Sequence, residues 1–83
     1  MFEIDLHGFE LADAKSEIYF SLVENQDQST VLIIHGYNQG RVLRSYIRSE
    51  KFKVDMKSKG IKVERIEDEG DSEGTTTFSF KIV

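Results

Sequence analysis

The sequence of 83 residues contains no cysteine, no proline and no tryptophan. Without cysteine the chain can hold neither disulfide bonds nor thiolate metal ligands. The lack of such staples in a small domain favours a cytoplasmic setting. No apolar run approaches the ~20 residues needed to cross a bilayer, and the N-terminus lacks the basic-then-apolar pattern of a signal peptide. We therefore expect one small soluble domain, residues 1–83, without a membrane partner.

The charges that are present are unevenly distributed along the chain. Residues 41–65 hold nine Lys and Arg against three acidic residues, although the whole chain carries a net charge of -4. This separation predicts a basic face, which suits a nucleic-acid partner, on an otherwise acidic molecule. A solvated helix surface whose charges are separated by chance is the alternative interpretation.

Hydrophobic periodicity predicts the element order βαβαββ. The predicted elements are a strand at 2–7, a helix at 10–25, a strand at 31–34, a helix starting near 41, and strands at 61–66 and 75–83. The first three strands should be parallel, and the fourth should return antiparallel to the third as a hairpin. Two helices cannot cover both faces of four strands. We therefore predict an α/β two-layer sandwich, with a four-stranded mixed sheet and two helices on one face.

A run of apolar strand, His, Gly and aromatic residue occurs twice, at 4–9 and 32–37. If the first two strands are neighbours, His7 and His35 lie at the C-terminal edge of the sheet, where open α/β sheets bind ligands. Asp5 lies two residues before His7, so the carboxylate can orient the imidazole and raise its basicity. All three are candidate catalytic residues for a hydrolytic reaction, as acid–base groups or as ligands of a divalent metal. Alternatively, each His-Gly pair serves only as a strand-to-helix turn, with Asp5 capping backbone amides.

The loop before the second helix is flanked by two glycines, which allow backbone N–H groups to approach an anion. Three arginines follow at spacings of three and four residues, so they share one helix face. We predict that this loop and helix face hold the phosphates of a nucleic-acid backbone. The candidate nucleic-acid-binding residues are Gly36, Tyr37, Asn38, Gln39, Gly40, Arg41, Arg44 and Arg48.

These motifs resemble those of a known family, the Smr (small MutS-related) domains. IDLHG at 4–8 resembles the LDLHG signature that opens Smr domains, and HGYNQG at 35–40 resembles their HGxGxG motif. Residues 42–44 resemble the Leu-Arg step of the second helix, and residues 74–82 resemble the closing glycine turn and strand. One position departs from the pattern, because Asn38 stands where the motif has its second glycine. Asn tolerates a positive φ better than most residues, which would preserve the shape of the loop. If the glycine serves to bring the backbone against a phosphate, the side chain of Asn38 would obstruct that approach.

The resemblance implies a βαβαββ fold and a nucleic-acid-binding domain with structure-selective endonuclease activity. It implies that Asp5 and His7 belong to the active site, that the loop starting at His35 faces nucleic acid, and that Arg44 contacts the backbone. We expect branched or structured DNA or RNA as the substrate, and Mg²⁺ or Mn²⁺ as the candidate cofactor. A nucleic-acid-binding or recruitment module without chemistry is the alternative, and a protein-interaction domain is a third.

Overall fold

Four strands and three helices make up the part of the chain that the computed structural model describes, which is residues 1–36, 40–65 and 74–83. In chain order they are β1 (Phe2–Asp5), α1 (Leu11–Glu24), β2 (Thr30–Ile34), α2 (Gly40–Ile47), α3 (Glu50–Lys57), β3 (Ile61–Arg65) and β4 (Thr75–Ile82). The predicted turn at 68–74 lies outside the described residues except for Gly74, as does residue 66 of the predicted third strand.

The strands form one mixed sheet in the order β1-β2-β4-β3. β1 pairs with β2 in parallel, and β4 runs antiparallel to both β2 and β3. The first three strands therefore point the same way, and the antiparallel pairing of β3 with β4 is confirmed. Because β1, β2 and β3 run in the same direction, all three end at one edge of the sheet. We call this the C-terminal edge.

One face of the sheet carries the core. Alternation along the strands directs Ile4, Ile33 and Phe78 to this face, where each is at most 4% exposed. The helices present their apolar stripes to it, and Phe52 of α3 stacks edge-on against Phe78 at 5.4 Å between ring centroids. The opposite face of the sheet includes Asp5, which is paired with Ile34 in the β1–β2 register. The predicted α/β class and mixed four-stranded sheet are thus confirmed.

The helical segment after residue 40 is divided into two helices, whereas we predicted one. Ser49 interrupts it, because its backbone is extended (φ -96°, ψ 160°) and its hydroxyl accepts a hydrogen bond from the N–H of Phe52 at 3.3 Å. The same hydroxyl donates to the carbonyl of Tyr46 at 2.6 Å. Ser49 thereby ends α2 and caps the N-terminus of α3.

A side-chain contact fixes α3 against α2. The Tyr46 hydroxyl donates to the Asp55 carboxylate at 2.6 Å. Burial, reinforced by this hydrogen bond, raises the pKa of Tyr46 above its ordinary value of 10.0. Tyr46 therefore stays a protonated donor at neutral pH. The hydrogen bonds of Ser49 and the Tyr46–Asp55 hydrogen bond together hold α3 against α2.

The helices are short. The longest, α1, has 14 residues, whereas a bilayer-spanning helix needs ~20. Within the described ranges, no helix is long and apolar enough to span a membrane.

Candidate functional site at the C-terminal edge of the sheet

Asp5 and His7 form a hydrogen-bonded pair at the end of β1. The His7 Nδ1 lies 2.6 Å from the Asp5 Oδ1, and the His7 backbone N–H donates to the same oxygen at 3.1 Å. Both side chains are open to solvent, with exposed fractions of 74% for His7 and 55% for Asp5. The hydrogen bond from the His7 ring, followed by the one from its backbone N–H, lowers the pKa of Asp5 below its ordinary value of 3.8.

The ionised Asp5 carboxylate determines which nitrogen of His7 carries the proton. A carboxylate only accepts hydrogen bonds, so Nδ1 must be the protonated nitrogen. In the neutral imidazole, Nε2 then carries the free lone pair. The pair can therefore present a base to solvent, or a positively charged imidazolium after Nε2 takes up a proton.

The two His-Gly turns meet beside this pair. Gly8 and Gly36 have positive φ angles of 81° and 87°, which L-residues with a side chain rarely adopt. A Cβ atom added to Gly36 would lie 3.3 Å from the Cβ of His7, whereas one added to Gly8 would meet nothing within 4 Å. Gly36 therefore combines two constraints, its backbone angle and its close packing against His7.

His35 reaches the same edge but turns its ring into the core. The residue is only 1% exposed. Its Nε2 lies 2.9 Å from the Thr76 hydroxyl, and its Nδ1 lies 3.3 Å from the carbonyl of Gly36. Asp5, by contrast, belongs to the opposite face of the sheet. The structure therefore brings Asp5 and His7 together and gives His35 a different environment from theirs.

Thr76 connects His35 to the end of α2. Arg48 donates from Nε to the Thr76 hydroxyl at 2.8 Å and from its terminal nitrogen to the Thr75 carbonyl at 2.9 Å. Since the Thr76 oxygen accepts from Arg48, its own proton is available for His35 Nε2, and His35 Nδ1–H then points to Gly36. Sequence reasoning missed Thr76. The available signal was a threonine in the row of core-facing residues of β4, where a hydroxyl needs a partner.

The remaining predicted binding residues fall into three groups. Arg41 is exposed, whereas Arg44 and Arg48 are partly buried. Gly40 is the first residue of α2. The other loop residues predicted to bind nucleic acid, 37–39, lie outside the described residues. Arg48 thus combines its place in the arginine row with a structural contact to β4.

Gly74 supports the loop that follows β2. The backbone N–H groups of His35 and Gly36 both donate to the Gly74 carbonyl, at 2.9 and 3.1 Å. This is the glycine that begins the closing segment noted in the sequence. The start of β4 therefore holds both the backbone and the ring of His35.

A divalent metal would find few ligands here. In the described part of the chain, no three side chains of His, Asp or Glu come close enough to hold a metal ion together. Asp5 and His7 supply two donors, and one Asp5 oxygen already accepts from the ring of His7. The described residues do not fit an all-protein metal site, so the chemistry below is derived from the side chains alone.

These features define an α/β domain with a solvent-exposed carboxylate–imidazole pair at the C-terminal edge of its sheet. A comparison with protein families identifies the domain, because the profile described as "Smr domain" matches residues 4–76. The chain belongs to the Smr domain family. This membership supports a nucleic-acid-binding domain. No curated protein and no solved structure matches the chain.

Proposed function

We propose that this Smr domain binds nucleic acid at the C-terminal edge of its sheet and hydrolyses a phosphodiester bond there. The observation that carries the proposal is the exposed Asp5–His7 pair, joined at 2.6 Å and packed against the turn at Gly36. Carboxylate-oriented imidazoles are suited to proton transfer near neutral pH.

In this proposal His7 is the general base and Asp5 is its positioning residue. Nε2 of His7 takes a proton from a water molecule while the water oxygen forms a new bond to phosphorus. The P–O bond to the leaving ribose oxygen breaks, and that oxygen takes a proton from solvent. Asp5 keeps the Nδ1 proton in place and stabilises the imidazolium that forms.

The arginines have separate roles in the proposal. Arg41 and Arg44 contact phosphates of the bound strand, each through the forked N–H donors of its guanidinium group. His35, which we predicted as catalytic, instead acts as a positioning residue through its contacts with Thr76 and Gly36. Arg48 contributes mainly through its bonds to β4.

The test is a cleavage assay on branched DNA and structured RNA, with Mg²⁺, with Mn²⁺ and with chelator. His7→Ala should reduce cutting by about 10²–10⁴-fold, the usual contribution of a general acid–base group, and Asp5→Asn should also impair it. Asp13→Asn, an exposed carboxylate on α1, is the matched control and should cut normally. Loss of cutting with chelator would place a divalent cation in the reaction. The proposal fails if neither substrate is cut, or if the Asp5→Asn, His7→Ala double variant cuts as well as the parent.

Binding without cleavage is the second candidate, and two observations favour it. His35 is buried and engaged, so it is not presented to a substrate, and Asn38 replaces a glycine of the family motif. This alternative predicts salt-dependent binding that weakens when Arg41 and Arg44 become alanine. Arg48 is a poor probe, because removing it also removes its bonds to Thr75 and Thr76. No affinity at low salt would favour a protein-interaction domain instead. We also propose a cytoplasmic setting, because the chain contains no cysteine.

A further inference from the structure

Two neighbouring cavities run along the side of the molecule where α3 packs beside β3. Their volumes are about 140 and about 490 Å³. They share Lys53 and Val63 as lining residues, so they lie side by side, and we treat them together. We call the two together the basic groove, after the five cations that line it: Arg48, Lys53, Lys57, Lys62 and Arg65.

The groove keeps a positive charge after its acids are counted. Glu50 and Glu64 also line it, and each lies near a lysine, Glu50 at 3.7 Å from Lys53 and Glu64 at 3.6 Å from Lys62. These side chains are 44% to 87% exposed. Exposed ion pairs are worth little in water, so an incoming anion can replace them. Among the described side chains that line the groove, five cations and two acids leave an excess of three positive charges.

One end of the groove reaches the candidate active edge. Arg48 bonds to Thr76, Thr76 bonds to His35, and the next residue, Gly36, packs against His7. From Arg48 the groove extends along β3, which lies at the opposite side of the sheet from β1. Three strand spacings separate β1 from β3, roughly 14 Å at ~4.8 Å each. A ligand in both places must therefore span several nucleotides or an equivalent length.

We propose that the basic groove binds the phosphodiester backbone of the nucleic-acid strand whose scissile phosphate lies at Asp5 and His7. This inference rests on the proposed function, since the position of Thr76 and Arg65, which line the groove at the same edge of the sheet as that site, favours a nucleic acid over an acidic protein segment. Lysines act as point charges and contact phosphates without reading bases. The groove therefore adds affinity that is independent of sequence and grows with the length of the strand.

The test measures binding of fluorescein-labelled single-stranded DNA and RNA over a range of salt concentrations. The groove variant Lys57→Gln/Lys62→Gln removes two charges from the groove. Its matched control, Lys51→Gln/Lys59→Gln, removes two lysine charges from the same part of the chain, and neither of these lysines lines the groove. Lys57 and Lys62 are exposed, so the fold should survive, and a thermal melt of each variant checks this.

The groove variant should bind a strand of about 16 nucleotides roughly tenfold or more weakly at 0.1 M salt. Its slope of log affinity against log salt should be shallower by about 1.4, the effect of two lost phosphate contacts on a single strand. A strand of about 4 nucleotides, near the lower limit of single-strand site sizes, should be affected much less. The control variant should bind both strands nearly as well as the parent.

If binding weakens equally in the groove and control variants, or equally for the long and short strands, the groove does not bind the strand. The proposed function would be unaffected. Binding by the parent that is lost on Arg41→Ala/Arg44→Ala but unchanged in the groove variant would lead to the same conclusion. If the parent binds neither DNA nor RNA at low salt, both proposals fail. Selective binding of a poly-glutamate peptide, with no nucleic-acid binding, would assign the groove to an acidic protein partner and overturn the proposal.

Discussion

Asp5 and His7 are separated by one residue, and their hydrogen bond has an electrostatic consequence that can be measured. The folded Asp5 carboxyl binds a proton less tightly than the unfolded one, because the His7 ring and backbone N–H stabilise its charge. The pair therefore favours folding at pH above 3.8, and this contribution is lost as pH falls through the lower folded-state pKa. Asp5 is thus ionised at neutral pH.

Carboxyl-carbon NMR titration should find a midpoint for Asp5 below 3.8. In His7→Ala the midpoint should rise, because the ring hydrogen bond is the larger cause, but the backbone N–H of residue 7 should hold it part of the way down. An Asp5 midpoint that does not move in His7→Ala would mean that the ring does not donate to the carboxylate in solution.

Proximity in the chain explains why this pair could be predicted and the surroundings of His35 could not. Asp5 and His7 are only two positions apart, so contact between their side chains is local and could be predicted from the sequence, even though β1 ends at Asp5 and His7 lies in the turn that follows. The contact of His35 with Thr76 spans 41 residues. It depends on β4 lying between β2 and β3, which the alternation of apolar residues within each strand does not specify.

Between elements, Thr76 is the junction of β2, β4 and α2. Its hydroxyl is buried and serves both His35 and Arg48. Thr76→Val keeps the shape but leaves two buried polar groups without this partner, which should cost about 1–3 kcal/mol in the free energy of unfolding. Urea denaturation gives the value. Thr76→Ser restores the hydroxyl and should recover most of the loss, whereas equal stability of the valine and serine variants would show that the hydroxyl bonds contribute nothing.

The division of the second helical segment shows that hydrophobic periodicity predicts helical structure without predicting how many helices form. Apolar residues recur at helical spacing through Phe52 and Met56, so one long helix and two short ones bury the same kind of side chains. The distinguishing feature is Ser49, a residue that favours caps over helix interiors because its hydroxyl bonds to nearby backbone. Ser49, followed by the acidic residue Glu50 in the first turn of α3, was the local signal for a new helix start.

For the whole molecule, a net charge of -4 opposes a polyanion even though the segment 41–65 attracts it. The two effects differ in range. At ~0.1 M salt charges are screened beyond ~10 Å, whereas at ~0.01 M the screening length is ~30 Å. The molecule measures 33 × 27 × 22 Å. At low salt every charge therefore acts on a bound strand, and at higher salt only the nearby cations do.

This difference predicts a salt-dependent effect of acids remote from the site. Glu24 and Asp27 are exposed at the end of α1 and in the turn after it; because α1 follows β1 and β2 is parallel to β1, this end lies away from Asp5 and His7. Neutralising both, as Glu24→Gln/Asp27→Asn, should strengthen nucleic-acid binding roughly two- to fivefold at ~0.01 M salt and leave it nearly unchanged at ~0.15 M. Fluorescence anisotropy at the two salt concentrations measures the effect. A gain of the same size at both would mean that these acids touch the bound strand, and the binding surface would then extend to the opposite end of the molecule from Asp5 and His7.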